Sequence, residues 1–447
     1  MKKMTRRTFL MGMGGAALLA SFASTRPANG KAPNVIWIVT DDQPQYMKDP
    51  LVYTSKYIRN KGAEFVNGHA DIPLCGPARA TLLTGQSVTT HGVDTNGGTY
   101  QQFKQAGLDE VTIARYLKDA GYRTGHFGKY VNAHFAYHGT PPYWDAWHET
   151  RTQEGSAPSI NSARHLSEWI KARANEPTPF FAQYAPTIPH QPYTPTARGR
   201  RRFGGTRRAV PSVNESRMGD KPYWMRQLPK EDADALQKEY EGKMQELSDL
   251  DYFCIRPVLN ALFETGQFAN TYIFFTSDNG YMHGEHRLWK KDEPYWESAE
   301  VPFYVVGPGV KASKRSALVS HVDLAPTTAA IAGVTIPDTD GRNILSDPPR
   351  KRLLVSGSDS VGPNAPKGEN PGGAWHPSGS WWLLREGRAA FILREKHQKE
   401  LYYLKSDPYQ QRSKHRKVPQ ATLDRFTSRV WQLRNAKGDA RRGLENA

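Results

Sequence analysis

Apolar residues along this chain fall in short runs, unbroken but for Gln183: Val35–Val39, Phe180–Tyr184, Tyr272–Phe275 and Pro302–Val306. Runs of that length with no polar alternation predict strands buried on both faces. Between them the period changes. From Asp109 to Gly121, Ile113, Tyr116 and Leu117 fall at helical spacing, with Asp109 placed to cap the start and Gly121 to end the helix. Tyr122–Phe127 then reads as a further strand. A longer helix is predicted from Glu231 to Phe263. Its stripe is Leu236, Tyr240, Met244, Leu247, Leu250, Cys254, Val258 and Leu262, with Cys254 as core filler.

Strands alternating with helices predict an α/β fold in which helices sandwich a large, mainly parallel sheet, and such sheets bind ligands beyond the carboxyl ends of their strands. This unit is expected over residues 33–345. Trp381–Leu384, Ala389–Leu393 and Leu401–Leu404 read as antiparallel strands, with a helix over Pro419–Leu433 packed on them. They make a smaller C-terminal α+β subdomain of an antiparallel sheet plus helix, residues 346–447. The Gly- and Pro-rich stretch Gly357–Gly379 is expected to be a loop at the pocket.

Polar chemistry gathers where the strands stop. Asp41 and Asp42 follow Val35–Val39, Asp278 and Asn279 follow Tyr272–Phe275, His190 lies in the loop after Phe180–Tyr184, and Lys129 follows Phe127. Singly, such Asp and Asn pairs are ordinary turn formers. Four carboxylate or amide side chains delivered by two distant segments to one sheet edge form a hard-oxygen site suited to Ca2+ or Mg2+.

The chain has 447 residues and only two cysteines. Cys75 opens a Pro- and Arg-bearing turn ahead of a helix-like run, with no neighbour for a disulfide or a Cys-rich metal cage, which favours chemistry over structure. The formal charge is +16, and five of the 60 basic residues precede Lys31 without an acid, so the remainder carries about +11 and favours anionic partners. Six arginines between Arg198 and Arg208 lie without an acid among them, and the tail from Arg412 to Arg442 is again basic. Such runs are commonly solvated faces. No recognition helix, zinc finger or aromatic sheet motif points to nucleic acid; a sulfated polysaccharide suits the same field.

Lys2, Lys3, Arg6 and Arg7 precede an apolar stretch from Phe9 to Ala23, the layout of an export signal over residues 1–30 and too short to span a bilayer comfortably. Thr5-Arg6-Arg7-Thr8-Phe9-Leu10 resembles a twin-arginine signal, whose pathway carries folded proteins. The expected location is therefore periplasmic or secreted, in a bacterium, with no stable membrane anchor after processing.

Cys75-Gly76-Pro77-Ala78-Arg79, continuing to Gly85, resembles the sulfatase signature. The similarity runs from Pro33 to about Arg434. It includes Pro33-Asn34-Val35 through Asp41-Asp42, Gly128-Lys129-Tyr130-Val131-Asn132, Pro189-His190-Gln191-Pro192, Ser277-Asp278-Asn279-Gly280, Gly284-Glu285-His286-Arg287-Leu288, Val301-Pro302, and Glu400-Leu401-Tyr402-Tyr403-Leu404 followed by Asp407-Pro408. On these motifs the chain resembles sulfatases of the alkaline phosphatase superfamily, nearest to the N-acetylglucosamine-6-sulfatase branch. The resemblance implies an alkaline phosphatase-like fold and hydrolysis of a sulfate ester on a sugar or glycan. It also implies that a formylglycine-generating enzyme oxidises Cys75 to formylglycine (3-oxoalanine) during maturation.

The resemblance further implies that Asp41, Asp42, Asp278 and Asn279 hold the metal with modified Cys75 as a further ligand. Ca2+ is favoured over Mg2+ because a hydrated aldehyde completes a larger, looser oxygen shell. Arg79, Lys129, His190 and Lys291 match positions that bind the sulfate and the modified side chain or move protons. In the implied reaction one hydroxyl of the hydrate attacks sulfur and the alcohol leaves, protonated by Lys291 or His190. The second hydroxyl then loses its proton and the group collapses to the aldehyde, expelling sulfate.

Three positions depart from the family pattern. Val131 stands where many sulfatases have a His, with Asn132 following. The segment between Leu288 and Tyr295 is one residue shorter than in the branch, so Lys290 competes with Lys291, and counting back from Tyr295 favours Lys291. Glu300 replaces the usual Arg before Val301-Pro302. His91 reads as structural, and His283 and His286 as packing partners. The alternative functions are a phosphomonoester or phosphonate ester hydrolase on the same scaffold, or a catalytically silent sulfated-glycan-binding protein. Changing Arg6 and Arg7 both to Lys is expected to retain the full-length chain in the cytoplasm, read by fractionation; unaffected export would remove the twin-arginine assignment.

Overall fold

A computed structural model describes residues 31–137, 139–150, 155–357, 380–395 and 398–447. The export-signal segment 1–30, and residues 358–379 of the Gly- and Pro-rich stretch, lie outside the described residues. Among the described residues, fourteen strands run in chain order: β1 Asn34–Thr40, β2 Ala63–His69, β3 Arg123–Gly128, β4 Ala146–Glu149, β5 Phe180–Ala185, β6 Thr271–Ser277, β7 Met282–His283, β8 Trp289–Lys290, β9 Phe303–Val306, β10 Ser313–Ser320, β11 Arg352–Ser356, β12 Trp381–Glu386, β13 Ala389–Arg394 and β14 Lys399–Tyr403.

Eight of them form one sheet in the order β10-β2-β9-β6-β1-β5-β3-β4. Every pairing is parallel except those of β9, which runs against β2 and β6. The central strands are covered twice. On β1, Val35, Trp37 and Val39 enter one core while Ile36 and Ile38 enter the other; on β6, Tyr272 and Phe274 oppose Ile273 and Phe275. This explains the unbroken apolar runs, since both faces need hydrophobic side chains and each fully buried one contributes about 1.5–3 kcal/mol. One face is closed by helices Ser156–Lys171, Ala233–Asp249 and Arg256–Glu264, the other by Cys75–Thr84, Ile113–Asp119 and Leu324–Ala332.

The long helix expected over 231–263 is present, but a π-helical turn at Leu250–Ile255 interrupts it, and Cys254 is fully buried in the core as expected. Asp109 does not cap the next helix. It lies in a 3-10 turn, and the helix starts after extended Thr112; Gly121 does follow its end, at φ +85°. Strands β2, β4 and β10 were not predicted from apolar patterning, nor were β11 and the terminal helix Gly438–Asn446.

β11 to β14 form a four-stranded antiparallel sheet. One face packs on helix Gln420–Asn435 through Leu423, Phe426, Val430 and Leu433. The other, through Leu353, Val355, Leu383 and Ile392, packs on Met282, Leu288 and Tyr295. That second contact backs the segment leading to Lys291, and Trp381 Nε1 donates to the Asp292 carbonyl at 3.0 Å.

Glu300 has a clear structural role at the join between the sheets. Its carboxylate pairs with Arg385 of β12, and Arg385 also donates to His69 Nε2 at 2.7 Å. His69 Nδ1 donates to the Asn67 carbonyl at 2.9 Å, so Nε2 is the acceptor; burial lowers the His69 pKa, fitting a neutral ring. Glu300→Ala is expected to destabilise the protein by about 3–5 kcal/mol, because it strands a buried guanidinium. Replacing Glu300 and Arg385 together by Met should recover most of that loss in denaturant melts, whereas equal single and double losses would contradict the pairing.

Candidate active site

Strands β1 and β6 are parallel neighbours in register, Thr40 against Ser277, so the residues that follow them meet. The Asp278 N–H donates to the Thr40 carbonyl at 3.0 Å, and the Asp42 N–H to Asp278 Oδ1 at 3.1 Å. Asp42 is held at φ +64°, which turns the chain directly after Asp41. Cys75 begins helix Cys75–Thr84, every residue of which is buried. Its Sγ lies 3.4 Å from Asp41 Oδ1 and 3.7 Å from Asp42 Oδ1.

Basic side chains arrive from the same helix and from three other segments. Arg79, one helical turn beyond Cys75, donates from Nε (3.0 Å) and a terminal nitrogen (2.8 Å) to Asp278 Oδ2, and from the other to the Lys129 carbonyl at 2.8 Å. Lys129, directly after β3, donates to Asp41 Oδ2 at 2.6 Å. Lys291 Nζ donates to Asp42 Oδ1 at 2.7 Å and to Cys75 Sγ at 2.8 Å, so Lys291, rather than Lys290 on β8, faces the cysteine. His190 Nδ1 donates to the Gln191 carbonyl at 2.5 Å, leaving Nε2 3.7 Å from Asp42 Oδ2.

Burial raises the pKa of Asp41, but Lys129, His190, Arg79 and Lys291 outweigh it and hold the carboxyl well below its usual range. Asp42 is lowered in the same way, against burial, chiefly by Lys291. Burial and the neighbouring Asp41 push Asp278 up to about 6 despite Arg79. Burial also raises the Cys75 thiol well above its ordinary value. Burial lowers His190, whereas for Lys129 it is outweighed by Asp41, leaving a firmly charged ammonium.

The donor set fits a hard divalent cation. Donor atoms of Asp41, Asp42, Cys75 and His190 lie within 4.8 Å of one another. Asn279 Nδ2 donates to Asp42 Oδ1 and the Gly280 carbonyl, which leaves buried Asn279 Oδ1 without a hydrogen-bond partner. An orphaned buried oxygen beside two carboxylates is what a bound Ca2+ or Mg2+ satisfies. Asp278 is turned differently, its oxygens accepting from Arg79 and from the Asp42 and Asn279 amides.

The sulfatase family model matches residues 33–334. The chain belongs to the sulfatase family. It is 32% identical over 376 residues to an extracellular sulfatase SULF-1 homolog of Drosophila melanogaster, covering 76% of this chain and 33% of that protein. It is 29% identical to human N-acetylglucosamine-6-sulfatase, covering 71% and 64%. The chain thus spans a third to about half the length of two extracellular sulfatase relatives. Among solved structures, one bound to its substrate D-glucosamine-2-N,6-O-disulfate superposes with TM-score 0.67 at 20% identity, covering 90% of this chain and 97% of that one. A phosphonate monoester hydrolase from Silicibacter pomeroyi superposes at 0.74 and 19%, covering 92% and 96%. Both likenesses bear on the fold.

Three further histidines are packed away. The Val93 N–H donates to His91 Nδ1, and Nε2 faces Thr81 Oγ1 at 2.9 Å. His286 Nδ1 meets Glu215 at 2.7 Å, and His283 Nδ1 meets the Tyr46 hydroxyl at 2.7 Å. The sequence reading missed a buried polar ridge on helix Ala233–Asp249: Glu239, Lys243, Glu246 and Asp249. The 4-3-3 spacing was a usable signal for one helix face.

Gly128 has φ +121°, and a Cβ there would stand 2.0 Å from the Ala185 carbonyl oxygen. Because the Lys129 N–H donates to that same carbonyl at 2.7 Å, Gly128→Ala is expected to displace Lys129 and cut turnover of p-nitrophenyl sulfate by about 10²-fold. Gly121→Ala, also at positive φ but with open space around it, should cost only about 1–2 kcal/mol of stability at unchanged turnover.

Proposed function

We propose that this chain hydrolyses a sulfate ester on a sugar or glycan, an N-acetylglucosamine-6-sulfate-like group, through a formylglycine made from Cys75. One observation carries the reading: the Cys75 side chain stands within 3.7 Å of Asp41, Asp42 and Lys291 at the carboxyl edge of the sheet. The kinship with N-acetylglucosamine-6-sulfatase supports the sugar. Conversion of Cys75 supplies a hydrated aldehyde, whose second hydroxyl can lose its proton and expel sulfate as the aldehyde re-forms, a release route that a thiol lacks.

Asp41, Asp42, Asn279 and the modified Cys75 side chain would hold a Ca2+, with Asp278 joining them by sharing an oxygen that now accepts from Arg79 or from the Asp42 and Asn279 amides. When bound, it supplies fixed positive charge against the sulfate oxygens and lowers the pKa of the nucleophilic hydroxyl. Lys129 remains protonated beside Asp41 and offers charge to the sulfate. Arg79 acts through Asp278 and the Lys129 carbonyl, which it fixes. Lys291 Nζ, 2.8 Å from Sγ, is placed to give a proton to the departing alcohol, and His190 Nε2 lies on the other side of Asp42. Charge that grows on the leaving oxygen as the S–O bond breaks is therefore met by preorganised cations.

In the same reading residues 1–30 are a twin-arginine-type export signal, 33–345 the catalytic unit and 346–447 the smaller subdomain. A formylglycine-generating enzyme acts before export, and the mature protein works in the periplasm or outside the cell. No helix among the described residues is long and apolar enough to cross a membrane.

Intact-mass analysis of the Cys75 peptide should show a loss of about 18 Da, the thiol-to-aldehyde change. Cys75→Ala should reduce p-nitrophenyl sulfate hydrolysis by at least about 10³-fold. Chelation should abolish turnover, with Ca2+ restoring it better than Mg2+. Faster turnover of the matching phosphate or phosphonate ester would reject the sulfatase reading, and an unmodified, inactive protein that still binds sulfated glycans would make it a binder.

A further inference from the structure

Lys243 lies in the middle of helix Ala233–Asp249 and is fully buried. Its ammonium donates to two backbone carbonyls from different loops: Asp42 O at 3.1 Å, after β1, and Pro189 O at 3.0 Å, after β5. It also stands 3.8 Å from the centre of the Tyr281 ring, a cation–π distance. A buried ammonium is costly unless its donors are satisfied, and here it is satisfied by the two turns that carry Asp41–Asp42 and His190.

Of those two turns the rest of the ridge holds the second, while Glu239 also accepts from the Tyr281 hydroxyl at 2.6 Å and Asp249 from Ser156 Oγ at 3.0 Å. Glu239 accepts from the Tyr193 hydroxyl at 3.0 Å, Glu246 from the Thr194 N–H at 2.9 Å, and Asp249 from Thr196 Oγ1 at 2.6 Å. Gly242 lets the loop close on the helix, since a Cβ there would stand 2.7 Å from the Tyr193 ring. Among these residues Lys243 is the one that also reaches the Asp42 turn. Asp42 sits at φ +64°, a left-handed conformation that Asp adopts more readily than most non-glycine residues and that turns the chain directly after Asp41.

We propose that Lys243 is a positioning residue that clamps the Asp41–Asp42 turn to the His190 loop and so sets the cation site and the His190 imidazole in one frame. The proposal rests on the functional reading above, because it concerns the same site. Lys243 touches neither sulfate nor nucleophile. It acts through two carbonyls, as an outer residue that orients ligands.

The test is Lys243→Met, which keeps the length and apolar stem but removes both hydrogen bonds. Ca2+ alone, titrated calorimetrically into chelator-treated protein, should bind about 10–100-fold more weakly than to the wild type, the range found for residues that orient metal ligands. At saturating Ca2+, kcat should still fall by about 10-fold or more while KM changes much less, because the loss concerns placement rather than uniform binding. If Met prevents folding, Lys243→Gln, whose shorter amide cannot span both carbonyls, should show the same losses in smaller degree. A folded variant with lowered melting temperature but wild-type Ca2+ affinity and kcat would overturn the proposal and leave Lys243 a packing residue. A wild-type protein that neither binds Ca2+ nor releases sulfate would instead reject the functional reading itself.

Discussion

The arrangement depends on a desolvated charge cluster. Asp41, Asp42 and Asp278 meet Arg79, Lys129, Lys243 and Lys291 where solvent is nearly excluded. Removing such groups from water costs several kcal/mol each, and their mutual attraction offsets this only when the geometry is good and the remaining donors and acceptors are filled. That demand explains why so many backbone groups serve the cluster: the Asp42 and Asn279 amides on Asp278, the Lys129 carbonyl on Arg79, the Asp42 and Pro189 carbonyls on Lys243.

The second sheet acts as a back wall rather than as a separate module. Its inner face packs against the stretch from Met282 to Tyr295, which contains Lys291, and Trp381 grips the backbone at Asp292. Glu300, Arg385 and His69 tie this wall to β2, the strand that leads toward Cys75. The position of Lys291 therefore depends on residues about a hundred positions away in sequence. The departure at Glu300 from the family's usual Arg makes sense in this setting, as the partner of an arginine supplied by β12.

Much of this was visible in the amino-acid order, for identifiable reasons. β1, β5, β6 and β9 could be read because strands covered on both faces carry nearly continuous apolar runs. Edge strand β10 carries exposed and polar residues at Ser313–Ser316, and β4 is nowhere fully buried, so neither left such a mark. Asp41, Asp42, Asp278 and Asn279 stood out as polar pairs at strand ends, and Cys75, Arg79, Lys129, His190 and Lys291 through motifs. Lys243 did not stand out. A buried polar ridge on a helix has the same spacing as a solvated one, and only the tertiary partners distinguish them. Glu300 was opaque because its partner lies 85 residues later.

The pairing of β1 with β6 has a consequence for the fidelity of assembly. Alternate side chains on both strands belong to two different hydrophobic layers, so sliding one strand by a single residue would send every ring and branched chain to the wrong layer. The same slip would carry Asp42 away from Asp278. Packing of greasy side chains thus proofreads the alignment of the acidic ones, and a correctly sealed interior guarantees a correctly spaced ligand set at its rim.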